Sequence, residues 1–228
     1  MSRVLTNQGL SFKQYGNQRI EINGNKTFVT DQFTFEILIL FKEYQVTGWQ
    51  ICGYQGSYNV RGWRFYFDPY GTHRLGFMIF YNGGSNVVWS PAGYPYYSWY
   101  RFIVTITKEP DGTYTLRMYI NGSLVNTVTG LPYNPVIETN PIVLGYQVNG
   151  LIGEFRFYNR PLGANEVSDI QNGAIIKNGL ICYLPLSEYE GSTAKDISGY
   201  GNNGTIYGAE WVIKKHKRLL NPVRVISV

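Results

Sequence analysis

From one end to the other, this chain is a succession of short segments rich in β-branched and aromatic residues, each bounded by Gly, Asn or Pro. FTFEILILFK, WRFYFDP, LGFMIFYNG, YRFIVTIT, YTLRMYING and GEFRFYNR are examples. Segments of that length with that punctuation pack as an antiparallel sandwich or barrel, not as βαβ units. Alternation assigns their faces. In FTFEILILF, Phe33, Phe35, Ile37, Ile39 and Phe41 share one face, with Thr34 and Glu36 on the other. In YTLRMYI, Leu116, Met118 and Ile120 alternate with Thr115, Arg117 and Tyr119, so both strands read as half buried. Asn82-Gly83 and Asn121-Gly122 signal tight hairpins, and Pro110-Asp111-Gly112 another reversal. The one helical piece is residues 161–171, with Leu162, Val167 and Ile170 inward and Asn165 as N-cap.

With 228 residues the chain supports one sizeable core. Charged residues make up 15% and aromatics 16%, which excludes the low hydrophobicity and high charge of a disordered chain. The formal charge of +5 is local: Lys214, Lys215, Lys217, Arg218 and Arg224 occupy a stretch without Asp or Glu. Setting those five aside leaves fifteen of the 20 basic residues against 15 acidic ones. A neutral body argues against a nucleic-acid partner, which needs a basic face on the folded part, and the basic stretch reads as a solvated end. Cys52 and Cys182 lie in apolar runs and read as buried thiols, with a single bridge as the alternative. Together with only His73 and His216 they do not make a zinc site. Residues 1–16 lack the apolar core of a signal peptide, and no run approaches the roughly 18 apolar residues of a membrane span. An exterior location then needs another export route, such as release inside a virus particle.

Four motifs occur in a familiar order: LSFKQYGNQRIEI, DQFTFEILILF, YTLRMYINGSLV and GEFRFYNRPLGANEV. They resemble the second strand pair, central strand, strand–turn–strand, and closing strand with short helix of laminin-G-like domains in the concanavalin A-like superfamily. The resemblance implies an all-β, two-sheet antiparallel jelly-roll β-sandwich over residues 1–213. Residues 214–228 follow as a basic linker and a β-prone tail ending in VRVISV (223–228). A fifth motif is displaced. Residues 179–212, GLICYLPLSEYEGSTAKDISGYGNNGTIYGAEWV, resemble the family's opening, yet they follow LIGEFRFYNRPLGANEVSDI (151–170), which resembles its close. Either the domain is circularly permuted, or residues 179–213 carry a strand meant for a neighbouring molecule. In both cases LICYLPL (180–186) is expected to pair as a strand, with Leu180, Cys182, Leu184 and Leu186 alternating inward.

The superfamily's β-glucan-cleaving enzymes carry E-x-D-x-x-E on one strand, which sets an acid/base pair on one sheet face. That motif is missing here, and Glu36 and Glu154 are lone carboxylates, so no catalytic pair and no enzyme activity are expected. The loop DISGYGNNG (196–204) offers Asp196, Ser198, Asn202 and Asn203, oxygen donors of the kind Ca²⁺ takes. Related domains hold a structural Ca²⁺ near the opening strand, so the resemblance implies a set of Asp196 and Asn202, joined by Glu154 from the closing strand. The competing reading is that Asp and Asn cap turns there. Trp63, Phe65 and Phe67 alternate as core, with Arg64 and Tyr66 outward. Trp89, Tyr94, Tyr96 and Tyr97, around Pro91 and Pro95, form an aromatic loop suited equally to sugar rings and to a protein partner.

The expected function is a non-catalytic structural or attachment module, extracellular or on a virion surface. It would contact a glycan or a host cell-surface ligand, or assemble with itself as a homo-oligomer or filament. The alternative is a soluble Ca²⁺-dependent lectin, and an endoglycosidase ranks third.

Overall fold

A computed structural model of the chain describes residues 8–13, 17–23, 28, 30–42, 50–56, 62–68, 72–81, 84–132 and 141–212. In chain order the strands begin with β1 (Leu10–Phe12), β2 (Arg19–Ile22), β3 (Phe33–Phe41), β4 (Gln50–Gly56), β5 (Gly62–Phe67), β6 (Leu75–Tyr81), β7 (Gly84–Trp89) and β8 (Trp99–Lys108). They continue with β9 (Tyr114–Ile120), β10 (Ser123–Leu131), β11 (Ile142–Leu144) and β12 (Gly150–Tyr158). After the helix α1 (Ala164–Gln171) come β13 (Leu180–Leu184), β14 (Thr193–Ala194), β15 (Gly204–Tyr207) and β16 (Glu210–Trp211).

These strands form two antiparallel sheets. The first runs β10-β9-β8-β3-β12-β1-β16, with β13 also beside β12. The second runs β14-β15-β2-β11-β4-β5-β6-β7. The core between them is aromatic, as the alternation predicts. Phe35 of the first sheet meets Trp63 at 5.0 Å and Phe65 at 5.6 Å, and Phe65 stacks on Phe102 at 3.9 Å. Asn121 and Gly122 both adopt positive φ, as the tight β9–β10 hairpin requires. Asn82-Gly83 and the tail from residue 213 lie outside the described residues.

The two half-buried strands of the sequence reading are corrected: their second faces are also covered. Thr34 and Glu36 are fully buried, and Thr115 and Tyr119 nearly so. Helix α1 lies over this outer face, where Val167, Ile170 and Leu162 pack with Ile103, Tyr119 and Tyr158 in a second small core. Thr34 pins the approach to the helix, donating from its hydroxyl to the Arg160 carbonyl and accepting the Leu162 N–H, both at 2.9 Å. The helix N-cap is Gly163, not Asn165. The Glu166 carboxylate reaches back to accept the Gly163 N–H at 3.0 Å and is itself held by Arg160, so the first turn is closed by a charge-assisted contact that needs no side chain at the cap. Tyr66, expected outward, is buried, with its ring close against Gly76. A Cβ there would meet the ring at 2.7 Å.

The C-terminal motif folds as part of the sandwich. β13 pairs antiparallel with β12, from Phe155↔Leu184 to Tyr158↔Leu180. A register shift at Phe157/Tyr158 breaks the simple alternation. Ile181, Cys182, Leu184 and Leu186 therefore enter the main core, while Leu180 and Tyr183 join the outer cluster. Cys182 is a free, buried thiol whose pKa burial pushes well up; the Cys52 side chain lies outside what the structure describes. Because Leu184 is fully buried, Leu184→Ala is expected to cost about 2–5 kcal/mol. Urea unfolding checks this, and a cost near zero would show the segment to be peripheral.

Candidate functional site

The aromatic loop, residues 90–98, leads from β7 into β8, and it is laced to the turn before β6. The Ser90 N–H donates to the Leu75 carbonyl at 2.8 Å, the Leu75 N–H to Ser90 Oγ at 2.9 Å, and the Tyr94 N–H to the His73 carbonyl at 3.2 Å. In that turn the buried Asp68 carboxylate accepts from the Thr72 hydroxyl and pairs with Arg74 at 3.5 Å. The Arg74 guanidinium lies over the Trp89 ring, 4.4 Å from its centroid, while Tyr66 meets the same indole edge-on at 5.2 Å.

Each of the four aromatic candidates can now be placed. Trp89 is covered by Arg74, and Tyr94 stands edge-on to Tyr100 at 5.4 Å. Tyr96 packs between His73 at 4.9 Å and Phe67 at 5.6 Å. The Tyr100 hydroxyl fastens the loop from below by donating to the Pro95 carbonyl at 2.8 Å. Tyr97 differs. Its N–H donates to the Phe41 carbonyl at 2.7 Å, its φ is +61°, and the residue is 64% exposed. Three aromatics therefore hold the loop and one is displayed. A non-glycine residue in the left-handed region is strained, and such strain persists where the surroundings over-determine it, commonly at ligand sites. Sequence reasoning missed Asp68, Thr72 and Arg74. Their only signal was a polar cluster in a turn, and the stack on Trp89 joins residues far apart in the chain.

The proposed calcium ligands are not pooled. Asp196 Oδ1 accepts the N–H groups of Tyr183 at 2.8 Å and Ser198 at 2.9 Å; its Oδ2 accepts the Ser198 hydroxyl and the Asn202 N–H, both at 2.8 Å. Four donors fill the lone-pair directions of one carboxylate. The Asn202 amide donates to the Ile181 carbonyl at 2.6 Å. Glu154 belongs to a separate ion-pair cluster. Among the described residues no group of three His, Cys, Asp or Glu side chains is arranged for a metal. The residues of this loop do not fit Ca²⁺; Asp196 organises the turn by gathering amides.

Glu154 sits with Glu36, Arg101, Arg156 and Tyr183 on the outer face of the first sheet. Arg101 bonds Glu36 and reaches Glu154 at 2.5 Å; Arg156 holds Glu36 at 3.2 Å and Glu154 at 3.1 Å. Tyr183 from β13 donates its hydroxyl to Glu154 at 3.2 Å, and the Arg156 guanidinium lies 4.5 Å from its ring centroid. Burial pushes Glu36 upward, against the pull of Arg156 and Arg101. For Glu154, burial also acts upward, but Arg156 and Arg101 outweigh it and hold the carboxyl below its ordinary value. Neither is poised as an acid or base toward a ligand: Glu36 has no exposed surface, and both carboxylates are neutralised by the same two guanidinium groups.

The family model for the concanavalin A-like lectin/glucanases superfamily (Laminin_G_3) matches residues 14–168, more than half of the chain. The chain belongs to this superfamily. The match ends before residues 179–212. Solved structures agree on the fold. A Bacteroides ovatus protein assigned provisionally to carbohydrate binding superposes with a TM-score of 0.64 at 17% identity, covering 90% of this chain and 60% of its own. The carbohydrate-binding domain CBM40 of a Ruminococcus gnavus sialidase, solved with a bound sialyllactose, gives 0.53 at 12% identity, covering 72% and 96%. An Escherichia coli bacteriophage tailspike protein gives 0.57 at 12%, covering 79% and 27%. This member of the superfamily therefore spans 60% of the B. ovatus chain. A comparison with curated proteins gave no match.

Two predictions follow from the polar clusters. A chelator is expected to leave the melting temperature unchanged, whereas Asp196→Ala, which strands four donors, should cost about 1–3 kcal/mol; a chelator-induced drop would restore the calcium reading. The second concerns acid. A carboxyl held below its unfolded value contributes stability above the ordinary Glu pKa of about 4.3, and loses it as pH falls through the folded value. Unfolding free energy should therefore fall as pH drops below about 4, and Glu154→Gln should flatten that limb. An unchanged acid limb in the variant would contradict the assignment.

Proposed function

We propose that the protein is a non-catalytic carbohydrate-binding module whose contact surface centres on Tyr97. The observation that carries this reading is Tyr97, a residue 64% exposed on a strained backbone, in a loop whose other aromatics are packed against the sandwich. A flat ring on a backbone fixed before binding offers a sugar's C–H face a platform at small entropic cost. The fold shared with carbohydrate-binding domains supports the ligand class, and the neutralised Glu36 and Glu154 support binding without cleavage. No helix among the described residues is long and apolar enough to cross a membrane. An extracellular or virion-surface setting is the finer form of this reading, and the tailspike likeness supports it at the level of fold alone.

The test is a glycan array probed with and without chelator, followed by titration of the strongest hit. Binding is expected to be indifferent to chelator. Tyr97→Ala should weaken it about tenfold or more, equivalent to about 1.4 kcal/mol, with no change in melting temperature. Full binding by the variant, release of reducing ends from the bound glycan, or an array without hits would each overturn the proposal.

A further inference from the structure

Residues 180–212 occupy only outer positions in both sheets. β13 adds to β12, β16 adds to β1, and β15 lies between β2 and its own neighbour β14. Withdrawing all four strands would break no ladder among the remaining ones. The segment is also bonded within itself. Asp196 gathers the Tyr183 and Asn202 N–H groups, the Ile197 N–H donates to the Tyr183 carbonyl at 2.9 Å, and the Trp211 indole N–H donates to the Gly191 carbonyl at 2.8 Å. It can therefore move as one unit.

The rest of the sandwich cannot stay open without it. Cys182, Leu184, Leu186 and Ala194 are fully buried, and β13 covers the edge of β12 that carries Phe155 and Phe157 in the core. An uncovered apolar strand edge is a template for another chain. The covalent link is short. The helix ends where the Ala174 N–H donates to the Asp169 carbonyl, and the far side is fixed by Arg160 on the Asn178 carbonyl and the Asn159 N–H on the Gly179 carbonyl. Between these anchors lie residues 175–177, with Ile175 48% exposed and Gly173 and Gly179 at φ +94° and +77° on either side.

We infer that residues 180–212 are an exchangeable arm, and that two copies of the chain form a reciprocal dimer in which each body is closed by the other's arm. Every ladder and buried side chain is the same in both forms, so the link alone sets the balance. Short links of this kind favour exchange, and reciprocal exchange closes with two-fold symmetry. Strand addition at the β12 edge supplies the main-chain contacts. This inference concerns assembly and stands apart from the glycan reading.

The experiment uses full-length chains in two populations carrying different fluorophores on N-terminal tags. They are denatured, mixed, refolded together over a range of concentrations and separated by size; a second sample is mixed only after folding. The expected result is a dimer carrying both labels in the co-refolded sample, growing with concentration, and almost none in the sample mixed when native. Deleting residues 175–177 should raise the dimer share several-fold, and inserting a flexible Gly/Ser stretch after Asn172 should lower it. Labels that never share a dimer, double labelling that appears just as fast on native mixing, or a dimer share indifferent to the insertion would each overturn the inference.

Discussion

The pairing along β12 is the interaction on which the rest of this sandwich depends. One side of the strand is paired with β3 over nearly its whole length, from Gly150↔Phe41 to Tyr158↔Thr34. The other side is divided. β1 takes Gly150 to Ile152, and β13 takes Phe155 to Tyr158. The irregularity at Ile152/Glu154 falls at the division, and Gly153 leaves room there for the Trp99 ring and Leu38, 3.1 Å from where a Cβ would stand. A strand from near each end of the chain thus completes the same edge. Further along, β16 returns to β1, with the Val212 N–H on the Gly9 carbonyl at 2.9 Å, so the C-terminal strands end beside the first one.

The buried charges act on the same strand from its outer face. Glu36 on β3, Arg101 on β8, Glu154 and Arg156 on β12 and Tyr183 on β13 can meet in only one register, because a one-residue slip turns each to the opposite face. Such clusters are weak sources of net stability, since desolvation offsets much of the attraction, but breaking one partner away is costly. That asymmetry makes the network a check on alignment. The network includes β13, whose contribution to the cluster is Tyr183.

How much of this was legible in the sequence differs by scale. Period-two alternation fixed the inner face of β3, β5 and β9 correctly, because only the core face carries an uninterrupted apolar series. Alternation could not show that Thr34 and Glu36 are buried as well, since their partners, Arg160 and Leu162 for one and Arg101 and Arg156 for the other, come from strands and a connection far along the chain. It failed at Leu180 for a related reason: a register shift is a property of the pair of strands. At the candidate site, the loop was visible as an aromatic cluster, but not which ring faces solvent. Arg74 over Trp89 and His73 against Tyr96 decide that, and both are tertiary contacts. For Asp196, Asn202 and Glu154, spacing reveals oxygen atoms without showing that four protein donors already occupy Asp196 and that Glu154 pairs with arginines elsewhere.

The positions of arm and loop also bear on each other. In the second sheet β15 and β7 are separated by the five strands β2, β11, β4, β5 and β6, roughly 29 Å along the sheet at the usual spacing of about 4.8 Å between neighbours. Exchange of the arm therefore leaves the Arg74–Trp89 stack at the far edge of that sheet in place, and a dimer closed in this way carries two Tyr97 loops. One aromatic platform makes for weak sugar binding, whereas two platforms on a linked pair turn the second contact into an intramolecular event, which raises avidity by factors of about 10²–10⁴ when the geometry allows both to engage. In that arrangement the arm that closes each body would also set the valency of the proposed glycan contact.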